Sequence, residues 1–245
     1  RIQEVNNIPS PYLNGALDSF FDGTLIPLLE TTRGCPFSCN FCNYSEDYYA
    51  KVNKFSFERV KEELNYMAQY SSKKGINSLI ITDMNFGMFD RDRDIALEIK
   101  RCQQHYGWPL SIIIETSKTR LEKVQQVVSL LKESVRIKMS CQSTNKDVLK
   151  EIGRKNLSKK QYIDMAQYLR KNGLIVETEL IQPLPLETFE SYMESVDFLI
   201  SSKVDRIMNY TLQINNGTLY REKEYQKKHG YKTSYRAYAN CAGKY

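Results

Sequence analysis

The sequence predicts an α/β domain built on a parallel sheet of six strands. Two observations carry this reading. From residue 25 onward, short β-rich apolar runs alternate with longer amphipathic runs, the order that repeated βα units produce. Four of the short runs are nearly continuous in apolar residues, as strands buried on both faces should be. Periodicity leaves two closures open, a partial barrel and an open doubly wound sheet. Both place chemistry at the C-terminal ends of the strands.

Strands are expected at 25–31 (LIPLLET), 77–83 (NSLIITD), 110–116 (LSIIIET), 135–141 (VRIKMSC), 174–181 and 205–212. Helices are expected at 56–73, 91–106, 119–133, 145–151 with 158–172, and 187–202. Ser56 should cap the first of these, in which Glu58, Val60, Leu64 and Met67 recur at helical spacing, and Gly75 should stop it. Asp90 is expected to cap the second, Ser117 the third, and Ser158 the longer part of the fourth, which ends at Gly173. Residues 1–24, with Pro9, Pro11, Gly15 and Gly23 around a short apolar patch, read as a linker packed on a barrel or sheet domain spanning 25–217. Residues 218–245, rich in Tyr and Lys, read as a C-terminal extension that begins as a helix.

At 245 residues the chain is long enough for one domain with a full core. It opens on Arg1 without a secretory leader, so a fragment of a longer protein is expected. No apolar run approaches the ~18 residues of a membrane span, and a cytoplasmic protein is expected. The net charge of +6 is spread through predicted helices, densest at Lys73–Lys74, Lys159–Lys160 and Lys227–Lys228; such pairs usually decorate solvated faces, so a nucleic-acid partner is not expected.

Of the six cysteines, Cys35, Cys39 and Cys42 fall in one short stretch, Arg33-Gly34-Cys35-Pro36-Phe37-Ser38-Cys39-Asn40-Phe41-Cys42, directly after the first strand. Such clustering favours a metal over a disulfide framework. Three thiolates on one loop can wrap three corners of an iron–sulfur cubane and leave the fourth iron open to a small molecule. The competing readings are a structural zinc site, which would want a fourth ligand when the only histidines are His105 and His229 in predicted helices, and three ordinary buried thiols.

The Cys-x3-Cys-x2-Cys motif after the first strand of a repeated βα domain, with Phe41 before the last cysteine, resembles the radical S-adenosylmethionine superfamily. Residues 8–42, 82–109, 140–157 and 229–245 further resemble the radical domain of its cobalamin-binding type. The resemblance implies a partial (β/α)6 TIM-like barrel of the radical SAM type. Its Cys35, Cys39 and Cys42 would hold a [4Fe-4S] cluster that binds S-adenosylmethionine (SAM) and cleaves it reductively. An electron donor of flavodoxin or ferredoxin type is implied, and cobalamin through a domain that these residues do not contain.

The resemblance also implies roles for secondary positions. Phe41 would flank the cofactor. Asp83 and Asn85, with Gly87, would hold the SAM amino group, although Asx-turns before a helix explain them equally. Ser140 and Gln142, sharing a strand face, would meet the ribose and methionyl part, leaving Cys141 as a core thiol on the other face. Arg154 would pair with the cofactor carboxylate, a surface helix end being the alternative. Glu177 and Glu179 share a face that suggests a polar barrel interior, and Glu179, nearer the rim, is the cofactor candidate. After that strand, relatives carry Gly-Leu-Pro-Gly-Glu-Thr where this chain has Gln182-Pro183-Leu184-Pro185-Leu186-Glu187-Thr188. The loss of glycines there puts left-handed turns in question.

Glu115, Thr116, Ser117 and Lys118 form a charged and hydroxylated cluster at the rim that could meet substrate, the alternative to Ser117 capping the next helix. Cys102 reads as helical core, Cys241 has no assignment, and Tyr225, Tyr231, Tyr235 and Tyr238 read as packing. The function expected is radical chemistry on a small-molecule or saccharide-like substrate, with cobalamin-dependent methyl transfer as one form. The alternatives are a cobalamin-independent epimerase, dehydratase or oxidase, and a tRNA-modifying methylthiotransferase, which would need an RNA-binding module not visible here. A non-enzymatic reading makes the metal a stabiliser only.

Overall fold

The computed structural model of the chain describes residues 4–45 and 47–234, so Tyr235, Tyr238 and Cys241 lie outside the described residues. Strand β1 (Leu28–Leu29) leads into β2 (Thr32–Arg33), then α1 (Asp47–Ala50), β3 (Asn53–Lys54) and α2 (Phe57–Lys73). The repeat continues through β4 (Ser78–Ile81), α3 (Arg91–Tyr106), β5 (Ser111–Glu115), α4 (Leu121–Leu131) and β6 (Val135–Lys138). It ends with α5 (Lys146–Glu151), α6 (Lys159–Lys171), β7 (Val176–Gln182), α7 (Phe189–Ser201), β8 (Arg206–Thr211) and α8 (Lys223–Lys228).

Six strands form one parallel sheet in the order β1-β4-β5-β6-β7-β8, and β2 and β3 form a separate antiparallel ribbon. The sheet order follows chain order throughout. A doubly wound sheet would reverse direction at a switch point, so the partial barrel is the closure that forms. Among the described residues no strand joins β8 back to β1.

Side-chain alternation sorts the sheet into two faces. Leu79, Ile81, Ile112, Ile114, Val135 and Ile137 are buried beneath the apolar stripes of α2, α3 and α4, which contribute Val60, Leu64, Met67, Ile95, Ile99, Val124 and Val128. The opposite positions Ile80, Ile113, Glu115 and Lys138 are only half-buried. This corrects the expectation of strands buried on both faces: the inner face lines an unclosed barrel and stays partly wet.

The first strand is also shorter than 25–31. Leu25 and Ile26 are exposed, and the chain leaves the sheet after Leu29. The cause is Asp83, whose carboxylate accepts hydrogen bonds from Thr31 N (2.7 Å), Thr31 Oγ1 (2.5 Å) and Thr32 Oγ1 (2.7 Å) and steers the chain into the β2–β3 ribbon. Strand β6 stops at Lys138 rather than 141, because Gln142 adopts a left-handed φ of 67° and Glu179 O accepts from both Cys141 N and Gln142 N.

Caps are mixed. Ser56 accepts from Arg59 N, and Ser158 with Gln161 forms a capping box. Asp90 makes no cap; its carboxylate pairs with Lys123 at 2.8 Å, and Asp92 instead accepts from Gly87 N and Phe89 N, both at 2.9 Å. Ser117 bonds Thr119 N in a local turn, and α4 starts after Arg120 in the left-handed region, so Ser117 is no helix cap either.

Candidate functional site

The three-cysteine loop leaves β2 at the C-terminal end of the barrel, and main-chain contacts clamp it from both sides. At Gly34, where φ is 111°, a Cβ would stand 2.5 Å from Lys51 O and 2.7 Å from Tyr49 O, so only glycine fits. Cys35 N donates to Tyr49 O at 2.8 Å. On the far side, Asn40 N donates to Ile152 O at 3.1 Å and Asn40 Nδ2 to Glu151 O at 2.8 Å. Gly153, with φ of 63°, lies against the loop so closely that a Cβ would sit 2.8 Å from Ser38 O.

Cys35 and Cys39 are buried and Cys42 partly so. Burial pushes the Cys42 thiol up, and Cys39 and Cys35 push it the same way, so the three sulfurs share one electrostatic neighbourhood. Polar groups from other elements converge on them. Asn85 Nδ2 donates to Cys35 Sγ at 3.3 Å, and Lys118 Nζ lies 3.9 Å from Cys39 Sγ and 5.2 Å from the centre of the Phe37 ring. The Arg154 guanidinium, hydrogen-bonded to Asn156 Oδ1 and Ser140 O, also lies within electrostatic reach of Cys39. Burial holds both cations below their ordinary pKa, and the nearby sulfurs pull in the opposite direction.

This donor set fits an iron–sulfur cluster. Three soft sulfur donors sit on one loop, with two cationic side chains and an amide placed beside them. Among the described residues no three His, Cys, Asp or Glu side chains, the loop cysteines included, gather tightly enough to hold a single metal ion, and the described cysteines are all free of disulfides. Asn85 Oδ1, beside the loop, and Gln142 Oε1, beside β7, are buried without partners, two acceptors left over for a ligand's donors.

The structure treats the remaining sequence candidates unequally. Asp83 serves as a brace: it is 1% exposed and its carboxylate accepts from Thr31 N, Thr31 Oγ1 and Thr32 Oγ1. Burial raises the Asp83 carboxyl despite those bonds. Asn85 reaches the cysteine loop. Ser140 and Gln142 do not share a regular strand face, since the strand has ended and Gln142 is left-handed. Ser140 Oγ donates to Glu179 Oε2 at 2.8 Å, and Ser140 O accepts from Arg154. Arg154 is buried, which corrects the surface alternative. Phe41 packs beside Val148, Ile152 and Leu184 and so fastens the cysteine loop to α5.

Lys118 stood in the sequence only as one member of the rim cluster at 115–118, with no contact to the cysteines foreseen, because its place at the end of β5 does not say what it faces. It also lines, with Ser140, Asn156, Tyr162 and Met165, a cavity of about 60 Å³ between the ends of β5 and β6 and helices α4 and α6. Inside the barrel, Lys138 Nζ bridges Glu115 Oε1 at 2.8 Å and Glu179 Oε1 at 3.1 Å, and Glu177 pairs with Arg206 at 2.9 Å. The interior is polar. The loop after β7 keeps a left-handed turn without glycine, at Leu186 with φ of 65°, while Leu184 is buried.

A six-stranded partial barrel with a three-thiol loop at its mouth defines the class. Residues 29–199 match the family model described as Radical SAM superfamily, and the chain belongs to that superfamily. Among curated relatives, it is 29% identical over 211 residues to the cobalamin-dependent radical SAM methyltransferase TokK of Streptomyces tokunonensis, covering 82% of this chain and 30% of that protein. It is 30% identical over 203 residues to the 2-(S-pantetheinyl)-carbapenam-3-carboxylate methyltransferase of Streptantibioticus cattleyicolor, covering 79% of this chain and 29% of that protein. The chain thus spans less than a third of the length of these relatives. Among solved structures, the radical SAM methyltransferase TsrM of Kitasatospora setae, with cobalamin and a [4Fe-4S] cluster bound, superposes with a TM-score of 0.65 at 17% identity, over 79% of this chain and 35% of that one. That likeness shows the fold. The superfamily's cofactors are a [4Fe-4S] cluster and SAM. No helix of the described residues is long and apolar enough to cross a membrane.

Proposed function

We propose that this chain is the radical-generating barrel of a SAM-dependent enzyme, comprising residues 25–217 flanked by extensions at 1–24 and 218–245. The observation that carries the reading is the convergence of Asn85 and Lys118 on the sulfurs of a main-chain-clamped loop. Cys35, Cys39 and Cys42 are the ligands of the cluster. When bound, the reduced [4Fe-4S] cluster supplies the electron that breaks a carbon–sulfur bond of SAM and opens radical chemistry. Lys118 and Arg154 offset the charge of the thiolates and offer cationic hydrogen-bond donors to the carboxylate of SAM. Asn85 orients Cys35 and presents its free carbonyl to the ammonium. Glu179, held by Lys138 and Ser140, and Gln142 shape the polar floor beneath.

The substrate class is a small molecule or saccharide-like metabolite, and the names of two relatives support methyl transfer with cobalamin carried elsewhere in a longer protein. An external one-electron donor is required, and free thiols throughout the described cysteines suit the reducing cytoplasm.

Anaerobic reconstitution tests the reading. About four irons per chain are expected, together with reductive cleavage of added SAM, and Cys39→Ala should lose both. Cleavage that persists in Cys39→Ala would sink the ligand assignment. A methylated product with S-adenosylhomocysteine would support methyl transfer, whereas 5′-deoxyadenosine without it would favour a cobalamin-independent epimerase, dehydratase or oxidase.

A further inference from the structure

We infer that the seam between α5 and α8 is the docking surface for an acidic one-electron carrier protein of the ferredoxin type, an inference that rests on the cluster assignment proposed above. The cysteine loop has two sides. One meets Asn85, Lys118 and Arg154 at the barrel mouth. The other is backed by the seam: Asn40, the residue after Cys39, bonds Ile152 O and Glu151 O on the α5 side and reaches Tyr225 OH of α8 at 3.4 Å. Lys228 Nζ holds Glu151 Oε1 at 2.9 Å and ties the two helices together.

The solvent side of this seam is basic. Lys146 and Lys150 stand one turn apart on α5, Lys155 follows it, and Lys223 and Lys227 stand one turn apart on α8, on the face turned away from the buried Tyr225; all are exposed. Exposed acids in these stretches are Asp147, Glu222 and Glu224, and the cations outnumber them. A carrier with the opposite charge would therefore be steered to the side of the loop that is only a few bonds from two sulfur ligands, Cys39 and Cys42. The mouth stays free for SAM and substrate. In the transfer one electron leaves the carrier's iron–sulfur centre and the [4Fe-4S] cluster gains it; no bond forms or breaks and no proton moves.

The test is stopped-flow reduction of the reconstituted chain, followed by bleaching of the cluster absorbance, with reduced ferredoxin and with dithionite as separate reductants. The triple variant Lys150→Glu, Lys223→Glu, Lys227→Glu should lower the second-order rate with ferredoxin by about tenfold or more at low salt. Raising the ionic strength should close the gap. Dithionite should reduce native and variant chains alike, which shows that the variant is folded and loaded. The control pair Lys73→Glu and Lys74→Glu, at the opposite end of the barrel where α2 returns toward β4, should leave both rates unchanged. A triple variant that takes electrons from ferredoxin at the native rate, or a control that slows as much, overturns the docking surface. A native chain that assembles no cluster reducible by dithionite overturns the parent reading, and this one with it.

Discussion

Asp92 is the residue whose chemistry is most at odds with its place. It is 1% exposed, one carboxylate oxygen accepts from Gly87 N and Phe89 N, and the other has no partner. Burial pushes its pKa up to about 6. An unfolded Asp titrates near pH 3.9, so the folded state holds the proton more tightly. The stability this contributes is full below about pH 4 and is lost as pH rises through about 6. Asp92→Asn keeps an acceptor for the two amides and removes the charge. Thermal melts should therefore show the variant more stable than the parent at pH 8, by on the order of 2 kcal/mol, and no gain at pH 4; equal melting at pH 8 would refute the burden assigned to the ionised form. At this scale the cysteines were legible because three thiols in one loop form a pattern. Lys118 and Asp83 were not, because sequence places a side chain at the end of a strand without saying what it faces.

The element that matters most is the cysteine loop, and its shape is set by glycines at contact points. Gly153→Ala adds a methyl group 2.8 Å from Ser38 O at a left-handed φ. The conformational penalty alone is about 1–2 kcal/mol, and the clash must shift the loop from α5. Iron content after reconstitution should fall by at least half in this variant, measured against Gly75→Ala, where φ is also positive but nothing lies within 4 Å of the added carbon. Full iron loading in Gly153→Ala would show that the loop does not depend on this approach. Helices α2 and α3 were readable almost to the residue, since amphipathic period and stop signals agree there. Strand β1 was not, because its end is decided by Asp83, more than fifty residues away, a contact that local pattern does not encode. The turn at Leu186 shows the converse: a left-handed position persists where sequence argued against it.

At the scale of the whole molecule, the sequence left the closure of the sheet open. Alternation of strands and helices is the same for a barrel and a doubly wound sheet; only the strand order, which depends on long-range pairing, separates them. The inward face also carries charge that an apolar reading of the strands undervalued. Lys138 is the hub of that charge, and its two carboxylate partners hold its ammonium above the ordinary range. Replacing it with methionine leaves Glu115 and Glu179 facing each other across the gap. Because both are partly solvated, the expected loss at pH 7 is about 1–3 kcal/mol, below the cost of a fully buried pair. The deficit should shrink toward pH 4, where carboxylates take up protons and repulsion fades, and denaturant titrations at the two pH values measure it. A loss that does not depend on pH would assign Lys138 a packing role instead.

The clamp around Gly34 and Gly153 has one last consequence. Where the sulfurs sit is decided by backbone abutments, while the charge they feel comes from side chains delivered by β4, β5 and the segment after α5. Placement and voltage are therefore separate dials, and an engineer could retune the second by exchanging Lys118 without unsettling the first.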